Sequence, residues 1–333
     1  MPLPYDFGDA TQVGQQFFTQ LQADLEALFA GTVSTLPQGR LSLTSGVAVT
    51  SSDVVGATTD YYVPAVGRYV PIWNGTQFVN VDIGGELSQA TTDTTKSPAA
   101  VANNSVYDKL VWLAAGTPSS SRGPAWSSDT SRGTGAGTTE VEQINGIWVN
   151  KFAITNGPVA RFGTLVGSVR SNGSAQLMDS AAFRWVSNIY NAVSRNMLAI
   201  EPANSWTYTT AAFRQVNANA ANQLDFLQSL AGGLLTARVR GAYANTNTTE
   251  FGIVGIDIDT LNTSSIINNR TAVPTIGLAN QVVAPSADYS GYPGLGRHIA
   301  IWKEYSSAGG TGTFLGDGGG TVIQTGISGE ILN

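Results

Sequence analysis

One stretch of this chain repeats its apolar residues every three or four positions. Val13, Phe17, Phe18, Leu21, Leu25, Leu28 and Phe29 form a single stripe, which predicts a helix over 10–30. Asp9, with Gln12 three residues later, suits the N-cap, and Gly31 suits the C′ stop. Such a helix either packs on its own domain or docks on identical copies or a larger assembly. Its isolation ahead of a β-like chain favours docking. Val13, Phe17, Phe18, Leu21, Leu25 and Leu28 are therefore the candidate assembly face.

Beyond residue 35 the period falls to two. Leu41 and Leu43 alternate with Ser42 and Thr44, and Val47 and Val49 again lie two apart, so each pair shares a strand face. The stretch 59–73 is rich in Tyr and Val. Asn74-Gly75, between 71–73 and 78–81, signals a hairpin whose loop Thr76 and Gln77 lengthen. Residues 85–104 have no period and few large apolar side chains, as in a linker or a long surface loop. Strands resume at 107–113, and the Ser-, Gly- and Thr-rich 115–138 reads as an exposed loop. Asn145-Gly146 then marks a second hairpin, and Asn172-Gly173 a turn after a strand over 163–170.

Residues 181–197 fit two periods. Phe183, Val186, Ile189, Tyr190, Val193 and Met197 suit a helix capped by Asp179 or Ser180, while Phe183, Trp185 and Ile189 suit a strand. From 206 onward the chain is β-like again. Trp206 and Tyr208 share a face, as do Leu235, Ala237 and Val239; 253–256, 299–302, 313–315 and 321–323 are short strand candidates. No fixed-period repeat is present.

The fold expected is mainly β, with an N-terminal helix, small β domains and a C-terminal β-sandwich of jelly-roll type. The chain's 333 residues exceed the roughly 250–300 at which one core stops growing. The divisions expected are a 1–35 helical anchor, a 36–84 small β domain, an 85–104 linker or loop, a 105–180 β domain and a 181–333 sandwich.

Composition then narrows the chemistry. Ala, Gly, Ser, Thr and Asn supply about half of the residues, charged residues 12%, and Cys none. That charge is roughly half the usual share. Hydrophobic residues at 42%, with seven Trp, argue against disorder. The net charge of −6 and the scattering of Arg122, Arg132, Arg161, Arg170 and Arg184 argue against a nucleic-acid partner. Without Cys there are no disulfides, thiolate metal sites or Cys nucleophiles. The start, MPLPYDFGDA, lacks the basic and apolar regions of a secretory signal, so synthesis in the cytosol is expected. No apolar run approaches the roughly 20 residues a membrane span needs, so no membrane insertion is expected.

Few residues are candidates for a site. His298 is the one histidine; at the start of an apolar strand it reads as hydrogen-bonded and structural. Asp257 and Asp259 in GIDIDT would share a face in a strand and so suit a hard cation or a glycosidase pair. The commoner meaning of that spacing is a solvated face or a turn. Glu140 and Glu142 repeat it and read as solvent-facing. Asp317 sits in GDGGG, without the repeated nonapeptide of calcium loops, and no GxxxxGK[ST] occurs. Tyr289, Tyr292 and Trp302 cluster around Pro293 and would suit a glycan, since a flat ring stacks on a pyranose; buried, they would be core. No catalytic residue, cofactor or metal is predicted, and the chain reads as non-enzymic.

Two segments, 123–175 and 205–224, are distinctive, as are GRLSLTSGVAVTSSDVVGATTDYYVPAVG near residue 40 and GYPGLGRHIAIWKEY near 300. All resemble a recurrent virion structural protein family of tailed bacteriophages, described as tail-fibre, minor tail or head-fibre components. The resemblance spans most of the chain after about residue 36 and leaves out the helical N-terminus, as suits an adaptor to one virion. It implies a β-rich, trimeric component on the virion surface and brings no catalytic signature. The function expected is a homotrimeric tail fibre or tail protein. It would join other virion proteins through its N-terminus and touch a host glycan or protein with its C-terminal domain. The alternatives are a capsid head-fibre or decoration protein without a receptor, and a polysaccharide depolymerase acting through Asp257 and Asp259.

Overall fold

The computed structural model describes residues 14, 17–21, 35–260, 270–274, 278–320 and 324–333. Gly14 and residues 17–21 are helical, where the sequence predicts the helix. Phe17 and Phe18 stand 62% and 69% exposed there, with their rings in a T-shaped contact. Val13, Leu25, Leu28 and Phe29 of the stripe, the caps Asp9, Gln12 and Gly31, and strand candidate 321–323 lie outside the described residues.

The N-terminal half contributes β1 (Gly39–Ser42), β2 (Val54–Ala57), β3 (Thr59–Pro64), β4 (Tyr69–Trp73), β5 (Phe78–Asp82), β6 (Leu87–Ala90) and β7 (Val106–Ala114). It continues through β8 (Thr117–Ala125), β9 (Val141–Ile144), β10 (Ile147–Asn150), β11 (Thr164–Arg170), β12 (Leu177–Asp179), β13 (Phe183–Arg184) and β14 (Val186–Asn188). The C-terminal half holds β15 (Ser194–Ile200), β16 (Ser205–Thr207), β17 (Arg214–Gln215), β18 (Gln223–Gln228), β19 (Leu235–Arg240) and β20 (Tyr243–Asn245). After these come β21 (Phe251–Ile258), β22 (Arg270–Pro274), β23 (Ser286–Gly291), β24 (Gly296–Ser306), β25 (Gly312–Leu315) and β26 (Gly326–Leu332). The protein is mainly β, as the sequence predicts.

In the C-terminal half, a four-stranded sheet ordered β15-β26-β19-β23 covers a larger sheet built on β18-β24-β21. Strand β19 alternates cleanly: Leu235, Ala237 and Val239 point inward and Thr236, Arg238 and Arg240 outward. Met197, Ala199, Ile327 and Ile331 join them and meet Leu224, Phe226, Val254, Ile256, Ala300 and Trp302 of the facing sheet. This is the face-to-face packing of a sandwich. In the N-terminal half, Leu41, Tyr62, Val70 and Ile72 share one core with Tyr107, Val111, Val166, Val169 and Val186, so segments 36–84 and 105–180 pack together.

Local turn chemistry falls where the sequence places it. Asn145 and Gly146 take φ of 46° and 86° between β9 and β10, the left-handed pair that a two-residue hairpin turn requires. At the first hairpin, the Asn74 carboxamide accepts from the backbone of Thr76 and Gln77 and so closes the longer loop.

The structure corrects three expectations and settles a fourth that the sequence leaves open. The stretch 115–138 is not all exposed loop: Ala115-Gly116 turns the chain into β8, whose Ser119, Ser120, Ser121 and Arg122 are buried. Ser121 and Arg122 tolerate burial through side-chain hydrogen bonds. Trp112 donates to Ser121 at 2.5 Å, and the Arg122 guanidinium reaches the carbonyls of Ala90, Thr91, Asp93 and Ala99. Segment 85–104 supplies strand β6 and then the loop that wraps Arg122. Residues 181–197 are strands, not helix. Val186 enters the N-terminal core and Met197 the C-terminal one, a division that one helical face does not allow. Val47 and Val49 lie exposed outside any strand.

The halves are joined by a continuous sheet, β2-β12-β13-β18-β24-β21-β22, which crosses between them at the parallel pair β13 and β18. Beside that crossing, Val106 and Trp126 of the first half pack on Leu227 and Leu295 of the second.

Candidate functional site

The structure does not assemble the predicted aromatic site. Trp302 is 1% exposed, because β24 is an inner strand with β18 and β21 on either side and its ring enters the sandwich core. Tyr289 packs partly buried against the same core, while Tyr292, past the end of β23, is 68% exposed. A three-ring glycan platform is excluded, and Tyr292 alone faces outward.

Nor do Asp257 and Asp259 form a pair. Asp257 is fully buried within β21, and its charge supports the buried Lys303 ammonium, which burial pulls below the usual lysine range. Asp259 follows the strand at φ 59°, so the alternation ends before it. Its carboxylate meets His298 Nδ1 at 2.7 Å and the Ile299 backbone N–H at 2.8 Å. His298 is thus hydrogen-bonded at the start of β24, as the sequence suggests. Glu140 and Glu142 are ion-paired with Lys151 and Arg161. Asp317 accepts from the Gly319 backbone at 2.9 Å within its turn. Among the described residues no three His, Asp or Glu side chains are grouped to hold a metal ion, and no helix is long and apolar enough to cross a membrane.

Sequence reasoning missed a set of buried arginine–carboxylate contacts along the seam between the halves. Arg132 grips Asp108 through two nitrogens, at 2.6 and 3.0 Å, and donates to the Ser229 carbonyl of the other half at 2.7 Å. Thr139 and Ser168 donate to the same Asp108 carboxylate. Arg297 holds Asp225 of its own half at 2.6 Å and Asp129 of the other at 3.1 Å, and Arg170 also reaches Asp129. The Trp185 indole donates to Asp225 at 2.7 Å, and the Arg170 guanidinium lies 4.5 Å from its ring centre.

Asp179 takes Arg195 at 2.9 Å, with Arg184 at 3.5 Å; burial still holds its carboxyl above the usual range against both cations. Burial likewise lowers Arg40 to about 10, where its guanidinium donates to the Asn333 carbonyl. Apart from Asp179 and Arg184, these partners lie far apart in sequence, and no spacing signals them.

The outer face of the β15-β26-β19-β23 sheet carries an open groove of about 640 Å³. Leu198, Ser328, Arg238 and Asp288 stand in register across it, beside Ile200, Arg240 and Glu330. Arg238 pairs with Asp288 at 2.5 Å, and Ser194 donates to Glu330. The groove thus sets charged and hydroxyl groups among a larger apolar lining that includes Leu198 and Ile200.

No family model matches this chain, and no curated protein is a significant match. Similar solved structures include one of infectious bursal disease virus, Gx strain: TM-score 0.30, 9% identity, covering 91% of this chain and 75% of that one. Eiger TNF from S. frugiperda has a TM-score of 0.28 and 9% identity over 43% of this chain and 92% of its own. The insecticidal delta-endotoxin Cry8Ea1 from Bacillus thuringiensis has 0.23 and 10% identity, over 93% of this chain; the chain spans 55% of the toxin's length. At these scores none of the three bears on function.

Proposed function

We propose that this chain is a structural component of a tailed-bacteriophage virion, a homotrimeric tail fibre or tail protein. It joins other virion proteins through the helical stripe containing Phe17, Phe18 and Leu21, and it turns the groove of its C-terminal sandwich toward a host glycan or protein. The supporting observation is where the charges go. Asp108, Asp129, Asp179, Asp225 and Glu304 all hold an arginine, so carboxylates that would otherwise serve acid–base chemistry fasten strands together. The exposed Phe17 and Phe18 add an apolar surface that three copies would cover by packing side by side.

Native mass measurement of the full chain at micromolar concentration checks the assembly, with trimer expected and Phe17→Asp with Leu21→Asp expected to return it to monomer. Monomer from the unaltered chain would refute the trimer. Immunogold labelling of intact particles is expected to mark the tail; label on the capsid would favour the head-fibre reading.

A further inference from the structure

Three buried polar side chains meet between the β1-β3-β6 sheet and strand β7. Asp60 on β3 and Gln89 on β6 are direct cross-strand partners, so both side chains leave the sheet on one face, side by side. Lys109 reaches them from β7. Its Nζ lies 2.7 Å from Asp60 Oδ1 and 2.6 Å from Gln89 Oε1. Exposure is 0% for Lys109, 1% for Asp60 and 2% for Gln89. Full burial is rare for lysine, and this chain has four lysines in all.

The contact between Lys109 and Asp60 differs from the arginine pairs. Asp225 accepts several aligned hydrogen bonds, from Arg297 and Trp185. Neither oxygen of Asp60 takes part in one of regular geometry, although the ammonium is close. The closeness is the firmer fact, and it places an amine against a carboxyl without a lone-pair-directed bond. Gln89 is oriented from behind: its Nε2 donates to Ser97 Oγ at 2.7 Å and to Asp93 Oδ2 at 3.1 Å, which turns its carbonyl toward Lys109.

We propose that Lys109 and Gln89 join in an intramolecular amide bond, with Asp60 carrying the protons. The site has the three parts such a bond needs: an amine, a carboxamide carbon and a carboxyl group beside them. Lys109 passes one proton to Asp60 and attacks Gln89 Cδ as the neutral amine. The Nζ–Cδ bond forms, the Cδ–Nε2 bond breaks, and the departing nitrogen takes a proton through Asp60 and leaves as ammonia. Of the two protons the ammonium gives up, one leaves with the ammonia and one remains on the carboxyl. No oxidant or outside reagent is required. Burial favours the neutral amine, pulling Lys109 below the usual lysine range although Asp60 opposes it. Fixed neighbours also remove the entropy cost of bringing the reactants together. The product is a covalent tie from β6 to β7, and so from the β1-β3-β6 sheet to the sheet that contains β7.

Accurate mass of the purified full chain tests this, followed by tryptic mapping. The chain is expected to be lighter than its sequence by one ammonia. A single tryptic species should join 69–96 to 97–122, uncut after Lys109, with fragment ions that place the link at Gln89. Lys109→Met and Asp60→Asn are expected at their full sequence masses. Folded wild-type chain giving separate, unlinked peptides overturns the bond, whether or not the variants fold. Loss of one water, with the link at Asp60, also overturns it. A link that persists in Asp60→Asn overturns the role of Asp60.

Discussion

Glu304 lies on β24 with no solvent exposure and gathers donors from three places. Arg214 Nε and Trp206 Nε1 each reach it at 2.6 Å, and the Asn217 backbone N–H at 3.0 Å. Burial nevertheless dominates and lifts its carboxyl above the ordinary glutamate range, against the pull of Trp206 and Arg214. The folded chain therefore binds this proton more tightly than the unfolded one. The stability this contributes is complete below the ordinary glutamate range and is lost as pH rises through the folded pKa. Relative to Glu304→Gln, the wild type is expected to gain stability as pH falls from neutral toward the ordinary glutamate range, read as the difference in urea midpoints; a constant difference would contradict it. The aromatic residues separate in the same way, by burial. Trp302→Ala removes a core ring and is expected to cost about 3–5 kcal/mol, whereas Tyr292→Ala should stay within about 0.5 kcal/mol. Denaturant titration of both distinguishes them, so host-binding loss in Tyr292→Ala would be a contact effect and in Trp302→Ala a folding effect.

Among the elements, those set by neighbouring residues were readable from the sequence. Asn145-Gly146 needs only its own left-handed φ angles and the alternation on either side. Gly146→Ala tests this directly: nothing lies within 4 Å of the added methyl, so backbone strain is the whole cost, about 1–2 kcal/mol by thermal or urea unfolding. A neutral result would show that the turn relaxes. The alternation of β19 was equally visible, because a sandwich strand with one wet face writes its period into the sequence. Strand β8 was not. Its run of serines resembles a loop until the 91–99 carbonyls close over Arg122, a contact between segments more than 20 residues apart. The 181–197 segment was ambiguous for a related reason: its apolar residues serve two cores, so neither period is clean. The candidate site fared worst. Tyr289, Tyr292 and Trp302 are close in sequence, but exposure decides their use, and exposure depends on which strands flank β24.

At the scale of the whole molecule, two cores share one sheet and one set of buried charges, which argues that they unfold together. A sheet alone would couple them weakly at β13 and β18, where the register covers two residue pairs. The ion pairs add much more, because separating the halves would part the buried Asp179 from Arg195 and Asp129 from Arg297. Stranding one such charge costs roughly 3–5 kcal/mol, comparable with a large part of a typical domain's stability of about 5–15 kcal/mol. Gly296 tightens the same junction: at φ 103°, a side chain there would meet the Asp129 carbonyl at 2.3 Å, so the backbones touch directly. Arg297 bonds to a carboxylate in each half, Asp225 and Asp129. Calorimetry of the wild type is therefore expected to give a single endotherm. Arg297→Met keeps the aliphatic bulk but strands Asp225 and frees Asp129, so it should lower the C-terminal transition and split the endotherm in two. Two endotherms already in the wild type, or one unshifted endotherm in the variant, would mean that the halves are held by apolar packing around Trp126 and Leu227 and not by their charges.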